Sequence, residues 1–242
     1  MGNIDYQQFY SEEASRYEST RYGSPYGRLF RLLQRRALKD ALGTAGEHER
    51  ILDVATGTGQ MLPVFRDTGA FVVASDLTAA MLAEARRVVS DDHVSYCVGD
   101  AFSLPYADGQ FDVVASSRFL HLFDLASQQL LLKEMARVLK PGGLLVVDFY
   151  SAHGRRWLWL PMAVYRLLLH KRPENDVRVT FPQAREMVAA CGLQPLRMQG
   201  LGNLLLALVP WLPLEWRCRC GEWLGRHCAR MSEQFLVVSR AP

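Results

Sequence analysis

Three carboxylates stand at the ends of short apolar runs. Asp53 follows Ile51-Leu52, Asp76 follows Phe71-Val72-Val73-Ala74-Ser75, and Asp100 follows Tyr96-Cys97-Val98-Gly99. Asp53 leads into Val54-Ala55-Thr56-Gly57-Thr58-Gly59, where two glycines let the backbone turn tightly and approach a ligand with no Cβ in the way. A glycine turn after a buried strand often cradles a nucleotide. A carboxylate beside it, however, would repel a pyrophosphate and attract an ammonium or sulfonium cation. Leu62 also occupies the place of the third glycine in a dinucleotide fingerprint. The pattern suits a positively charged nucleoside such as S-adenosyl-L-methionine (SAM) better than NAD. Asp76, roughly 20 residues beyond the turn, falls where a doubly wound sheet places a carboxylate for ribose hydroxyls.

Positioning these acids requires a parallel sheet. Further strands are expected at Phe111 to Ser116 and Leu144 to Phe149, with the third running from Tyr96 to Ala101. Between the fourth and fifth, Leu131, Leu132, Met135, Val138 and Leu139 recur at helical spacing, predicting a helix from Ser127 to Lys140 that Pro141-Gly142-Gly143 stops. The chain has 242 residues, 49% of them hydrophobic, which suits a single core. Its formal net charge of +3 is too small to argue for nucleic acid. The polar, aromatic N-terminus lacks the apolar core of a signal peptide, and no window suits a membrane span, so a soluble cytoplasmic protein is expected. Cys218, Cys220, His227 and Cys228 match no tetrahedral metal spacing, so no metal is expected. Trp223, Leu224, His227, Cys228 and Met231 read instead as one helix face that packs reduced thiols.

The motifs Leu52-Asp53-Val54-Ala55-Thr56-Gly57-Thr58-Gly59, Ser75-Asp76-Leu77-Thr78-Ala79-Ala80-Met81-Leu82, Val98-Gly99-Asp100-Ala101, Leu104-Pro105-Tyr106 with Phe111-Asp112, and Glu134-Met135-Ala136-Arg137-Val138-Leu139-Lys140-Pro141-Gly142-Gly143 occur in this order. Together they resemble the class I SAM-dependent methyltransferases. The likeness is strongest to the subgroup with the ubiquinone and menaquinone biosynthesis C-methyltransferases, which also holds many small-molecule O- and N-methyltransferases. It covers residues 51–150 well and the rest loosely. It implies one α/β domain with a Rossmann-like, doubly wound, mostly parallel seven-stranded sheet. Residues 1–50 would form a helical cap and 51–150 the SAM-binding core. Insertions at 151–180 and 201–233 would form a helical substrate lid, and 234–242 a closing strand.

The resemblance also implies residue roles. Asp53 would attract the methionine ammonium, and backbone groups of Thr56, Gly57 and Gly59 would lie against the methionine and ribose. Asp76 would accept the ribose hydroxyls, with Leu77 packed on the adenine. Asp100 would accept from the adenine amine, unless it only caps the next segment, and the Ala101 amide would address a ring nitrogen. Ser116 would lie beneath the methionine moiety. In the cap, Tyr17 and Arg28 are the choices for the methionine carboxylate, against simple packing and surface charge. His121 is the candidate general base, against a histidine that packs or caps the helix starting near Asp124. Arg118 could hold an anionic group of the acceptor or pair with a carboxylate, and Tyr150 is a third candidate.

Absences narrow the acceptor. Ser116-Ser117-Arg118-Phe119 stands where amide and base N-methyltransferases often carry Asn-Pro-Pro-Tyr, and no Asp-Asn pair is placed for magnesium. The expected acceptor is a small or medium-sized, partly apolar metabolite, methylated on oxygen first, with carbon and nitrogen as alternatives. Nucleic acid is not expected as a partner, and the chain is read as monomer or homodimer. Trp157 and Trp159 near Arg155 and Arg156, and Trp216 and Trp223 near Arg217, Arg219, Arg226 and Arg230, suit a lid, core or dimer packing, or peripheral membrane contact. Rival readings are a SAM enzyme of different chemistry, an NAD-dependent oxidoreductase and a non-catalytic module.

Overall fold

Runs of Val, Ile, Leu and Phe without polar alternation can be satisfied only in strands covered on both faces, and this dictates a sheet with helices on each side. The computed structural model describes residues 6–43, 49–153, 176–203, 206 and 209–242. Seven strands form one sheet: β1 (Arg50–Val54), β2 (Phe71–Asp76), β3 (Val94–Val98), β4 (Phe111–Ser116), β5 (Leu139–Tyr150), β6 (Gln194–Leu201) and β7 (Gln234–Arg240). Their spatial order is β3-β2-β1-β4-β5-β7-β6. Neighbours from β3 to β5 are parallel, whereas β7 runs antiparallel to both β5 and β6. This is the doubly wound, mostly parallel seven-stranded sheet that the resemblance implies. Asp53 lies opposite Ala74 and Ala115, and Asp76 opposite Val98, so the strand-end acids share one edge.

The described helices are α1 (Tyr6–Glu13), α2 (Tyr17–Tyr22), α3 (Pro25–Gly43), α4 (Leu62–Arg66), α5 (Ala79–Val88), α6 (Leu125–Arg137), α7 (Phe181–Ala189) and α8 (Leu214–His227). On one face Phe30, Leu38 and Phe65 pack over Ile51, Val72, Val113 and Val146. On the other, Leu131, Leu132 and Met135 pack over Leu52, Val114, Leu145 and Val237. Phe235 stacks between Phe181, at 4.2 Å, and Phe149, at 5.8 Å.

Three elements differ at their boundaries from the sequence expectation. Helix α6 starts earlier, where the Asp124 carboxylate accepts from the Ser127 amide at 2.8 Å, and it stops at Arg137 rather than Lys140. The amides of Gln110 and Phe111 bond the Val138 carbonyl, which pulls the chain into the sheet. Lys140-Pro141-Gly142-Gly143 then forms a bulge within β5 rather than a simple helix stop. Strand β3 ends at Val98, and Asp100 sits beyond it in a bridge to Ser103.

The expected helix face of Trp223, Leu224, His227, Cys228 and Met231 is also corrected. Helix α8 ends at His227, Trp223 and His227 are exposed, and the buried thiol is Cys218, packed beside Leu29, Leu33 and Leu206. The stretch Arg155 to Arg172 lies outside the described residues. Among those described, no helix is long and apolar enough to cross a membrane.

Candidate active site

A cavity of about 270 Å³ opens at the edge where β1, β2 and β4 end. Its floor begins with the turn after β1, which carries three left-handed backbone conformations: Ala55 at φ +56°, Gly57 at φ +54° and Gly59 at φ +76°. A Cβ on Gly57 would meet nothing within 4 Å, so this glycine serves the left-handed turn and leaves its face open to a ligand. Gly59 differs. At φ +76° a Cβ there would sit 2.9 Å from the Ala85 Cβ and 3.0 Å from Leu62 Cδ1, so it lets α5 close on the turn. It does not line the cavity, contrary to its expected contact with the ligand.

All three acids line the cavity. Asp53 is 3% exposed, and its Oδ2 accepts from Thr56 Oγ1 at 2.5 Å. Burial pushes its pKa up to about 7, against the Thr56 bond and with help from the nearby Asp76 charge. Asp76 is clamped: Oδ2 accepts from the Gly57 amide at 2.8 Å, and Oδ1 from the Thr78 amide at 3.0 Å and hydroxyl at 3.3 Å. Burial raises its pKa and these bonds oppose the rise. Asp100 is exposed and caps the next segment from the cavity edge. Its Oδ1 caps the Phe102 amide at 2.9 Å, while the residue faces the cavity beside Leu77 and Ala101.

The cap contributes Tyr10, Tyr17 and Tyr22 to the lining. Arg28 is corrected: it is exposed, and its Nη1 donates to the Gly23 carbonyl at 2.6 Å, closing the turn between α2 and α3. Glu18 seats α2 on the glycine turn, accepting from Thr58 Oγ1 at 2.8 Å and from Arg31 Nη1 at 3.0 Å. Sequence reasoning missed this latch because one glutamate in a polar helix carries no signal.

After β4 the wall is Ser117, Arg118 and Phe119, continuing to Leu122 and Phe123. Ser116 is corrected, since its hydroxyl donates to the Val54 carbonyl at 2.8 Å inside the sheet and it does not line this cavity. Arg118 adopts φ +57°, which a side chain with a Cβ rarely takes and which turns it into the cavity. Its amide donates to Asp148 Oδ1 at 2.8 Å, and Asp148 Oδ2 accepts from Ser117 Oγ at 2.8 Å and from Gln34 Nε2 at 3.4 Å. Asp148 thus spends itself on the backbone and hydroxyl rather than on the guanidinium. The guanidinium lies over the Tyr22 ring, 5.1 Å from its centroid, and its buried Nε has no hydrogen-bond partner. Burial opposes the Arg118 charge, but Tyr22, Tyr150 and Tyr17 outweigh it and hold the pKa above its usual value.

His121 is corrected as well. It lies outside the cavity, stacked on Tyr150 at 4.0 Å, with Nε2 3.8 Å from Asp176. Burial, then Arg118, Arg21 and Arg178, push its pKa down to about 3, so it is a poor proton acceptor. Tyr150 also stands outside the lining residues. Among the described residues no group of His, Cys, Asp and Glu could hold a metal ion.

The donor set fits SAM. Asp53 suits an ammonium, Asp76 and Asp100 offer acceptors for hydroxyl and amine groups, Gly57 leaves room for close approach, and Phe102 and Leu77 provide apolar surface for a base. Residues 52–147 match the family model described as a methyltransferase domain. A demethylmenaquinone methyltransferase of Beutenbergia cavernae is 44% identical over 119 residues, 49% of this chain and 48% of that protein. A malonyl-[acyl-carrier protein] O-methyltransferase of Enterobacter lignolyticus is 40% identical over 132 residues, 53% of this chain and 51% of that one. The chain thus spans about half the length of these curated relatives. The magnesium protoporphyrin IX methyltransferase of Synechocystis PCC 6803, solved with bound SAH, superposes over 98% of both chains with a TM-score of 0.68. At 13% identity that likeness speaks for the fold alone.

Proposed function

We propose that the chain, whose residues 52–147 match a methyltransferase domain, uses SAM to methylate an acidic oxygen on a small or medium-sized, partly apolar metabolite, such as a phenol, quinone precursor, polyketide or lipid-like intermediate. The observation that carries this reading is the division of the cavity. Carboxylates from the ends of β1, β2 and β3 face a guanidinium and phenylalanines that follow β4. SAM, when bound, supplies a methyl group already activated on a sulfonium, so positioning and charge do most of the remaining work. Arg118 then neutralises the acceptor as an oxyanion. Phe119, Leu122 and Phe123 pack its apolar part, and Asp148 fixes Arg118 through its backbone. With His121 outside the cavity and depressed in basicity, no side-chain base is assigned, and an acceptor acidic enough to ionise beside Arg118 needs none. In this reading the cap 1–50 closes over the cofactor, and the insertions 151–180 and 201–233 shield the acceptor. The relative named for demethylmenaquinone supports a quinone-like acceptor, whose subgroup methylates carbon, and the one named for O-methylation supports oxygen as the accepting atom.

Calorimetry with SAM and its demethylated product tests the cofactor, and labelled-methyl transfer to a panel of phenols and hydroquinones tests the acceptor. Heat with both ligands is expected, with methyl recovered on oxygen; label on carbon or nitrogen would redirect the acceptor. Arg118→Met is expected to weaken acceptor binding at least about tenfold while cofactor affinity stays within about threefold. If cofactor affinity collapses instead, the guanidinium serves the methionine carboxylate. No heat with either ligand would overturn the whole reading.

A further inference from the structure

Helix α8 presents its side chains in the reverse of the usual order. A surface helix normally buries its bulky apolar residues and exposes its small and polar ones. Here the buried face is Arg217, Cys218, Gly221 and Gly225. A Cβ on Gly221 would meet Leu33 at 2.8 Å, and one on Gly225 the Gly200 carbonyl oxygen at 2.3 Å, so the helix sits tightly on α3 and β6 by its smallest residues. Trp216 and Trp223, seven residues apart and therefore on one face, point outward at 57% and 56% exposure. Trp211, three residues before the helix starts, is exposed as well, at 76%. The rotation of the helix is fixed from the side by Arg36, which holds Glu215 and Glu222 at 3.0 Å each, and by Arg226 on Asp40 at 2.8 Å. The tryptophans are held out, not loosely frayed.

Charge decides what covers them. The only two acids of the helix are both committed to Arg36, whereas Arg219 remains exposed beside the indoles, with its guanidinium 5.9 Å from the Trp216 ring. Indole pairs an apolar body with one N–H donor, and arginine keeps its charge in a wet layer while its stem lies on apolar surface. This combination matches the boundary between headgroups and acyl chains of an anionic bilayer. We propose that the outer face of α8, together with Trp211, docks on the surface of a membrane containing anionic phospholipids, lying in the interface without spanning it. Such a site would place a methyltransferase of apolar acceptors beside the phase in which they dissolve. The docking itself does not depend on the activity.

Flotation of the intact protein with vesicles provides the test. Vesicles of phosphatidylcholine with phosphatidylglycerol are expected to carry the protein upward, and pure phosphatidylcholine vesicles to leave most of it behind. Trp216→Ser combined with Trp223→Ser is expected to reduce partition at least about tenfold. Arg219→Glu should cost roughly fivefold, and high salt should abolish that share. Circular dichroism and binding of the demethylated cofactor product, which should not change in these surface variants, separate failed docking from failed folding. Protein left in the soluble fraction with both vesicle types overturns the proposal. So does equal flotation with both, a tryptophan variant that floats like the parent, or a dimer that buries these indoles and is lost in the double variant. Because flotation needs neither cofactor nor acceptor, any of these results leaves the reading of the cavity untouched.

Discussion

Asp53 holds a carboxyl group in a nearly dry site with one hydroxyl donor, and it keeps its proton until the pH nears 7. The folded pKa therefore lies above the ordinary 3.8, and the native state binds a proton that the unfolded chain has released. The sign follows: this group's contribution to stability is complete below about pH 4 and is lost as the pH rises through 7. Asp53→Asn is expected to stabilise the ligand-free protein by roughly 2–4 kcal/mol at pH 8 and to flatten its pH dependence, readable from urea melts. A cationic ligand reverses the preference. SAM affinity should rise with pH up to about 7 and then level off, and the Asn variant should bind weakly at every pH. His121→Phe preserves the stack on Tyr150, and turnover at saturating acceptor is expected to stay within about twofold. A general base would instead cost 10²-fold or more. Strand-end acids were legible in the sequence because an apolar run ending in Asp fixes both depth and edge. Ser116 and His121 were not, because a one-residue step reverses side-chain direction and the left-handed turn at Arg118 brings Ser117 and Arg118 forward instead; Arg28 was not, because its guanidinium turns back on the Gly23 carbonyl.

Among the elements, α2 and the turn after β1 are joined mainly by polar contacts, with Glu18 bonded to both Thr58 and Arg31. Such a junction can open without exposing a large apolar surface, which suits a cap that must admit a ligand. Glu18→Ala is expected to speed cofactor dissociation about 5–30-fold in stopped-flow fluorescence, with little change in melting temperature. An unchanged rate would show that Tyr10, Tyr17 and Tyr22 hold the cap by themselves. The strands themselves were plain in the sequence, since β-branched runs bounded by turn residues allow little else. The end of α6 was harder to read. Its last residues keep helical spacing, but the sheet competes for the same backbone groups and wins at Val138.

For the whole molecule, two apolar layers on one sheet meet their clearest test at Phe235, fully buried and stacked between Phe149 and Phe181. Phe235→Ala is expected to cost about 3–5 kcal/mol, measured as a shift of the urea midpoint with an unchanged slope. A shift below about 1 kcal/mol would mean that this layer relaxes into the gap.

The position of β7 has a consequence for biogenesis. It lies between β5 and β6, yet it follows both in the chain, so β6 can join the sheet only through a segment made about 30 residues later. Until that segment leaves the ribosome, a nascent chain offers the bare apolar edge of β5, a ready template for aggregation. Chains stalled before residue 234 should therefore be recovered as complexes with holding chaperones.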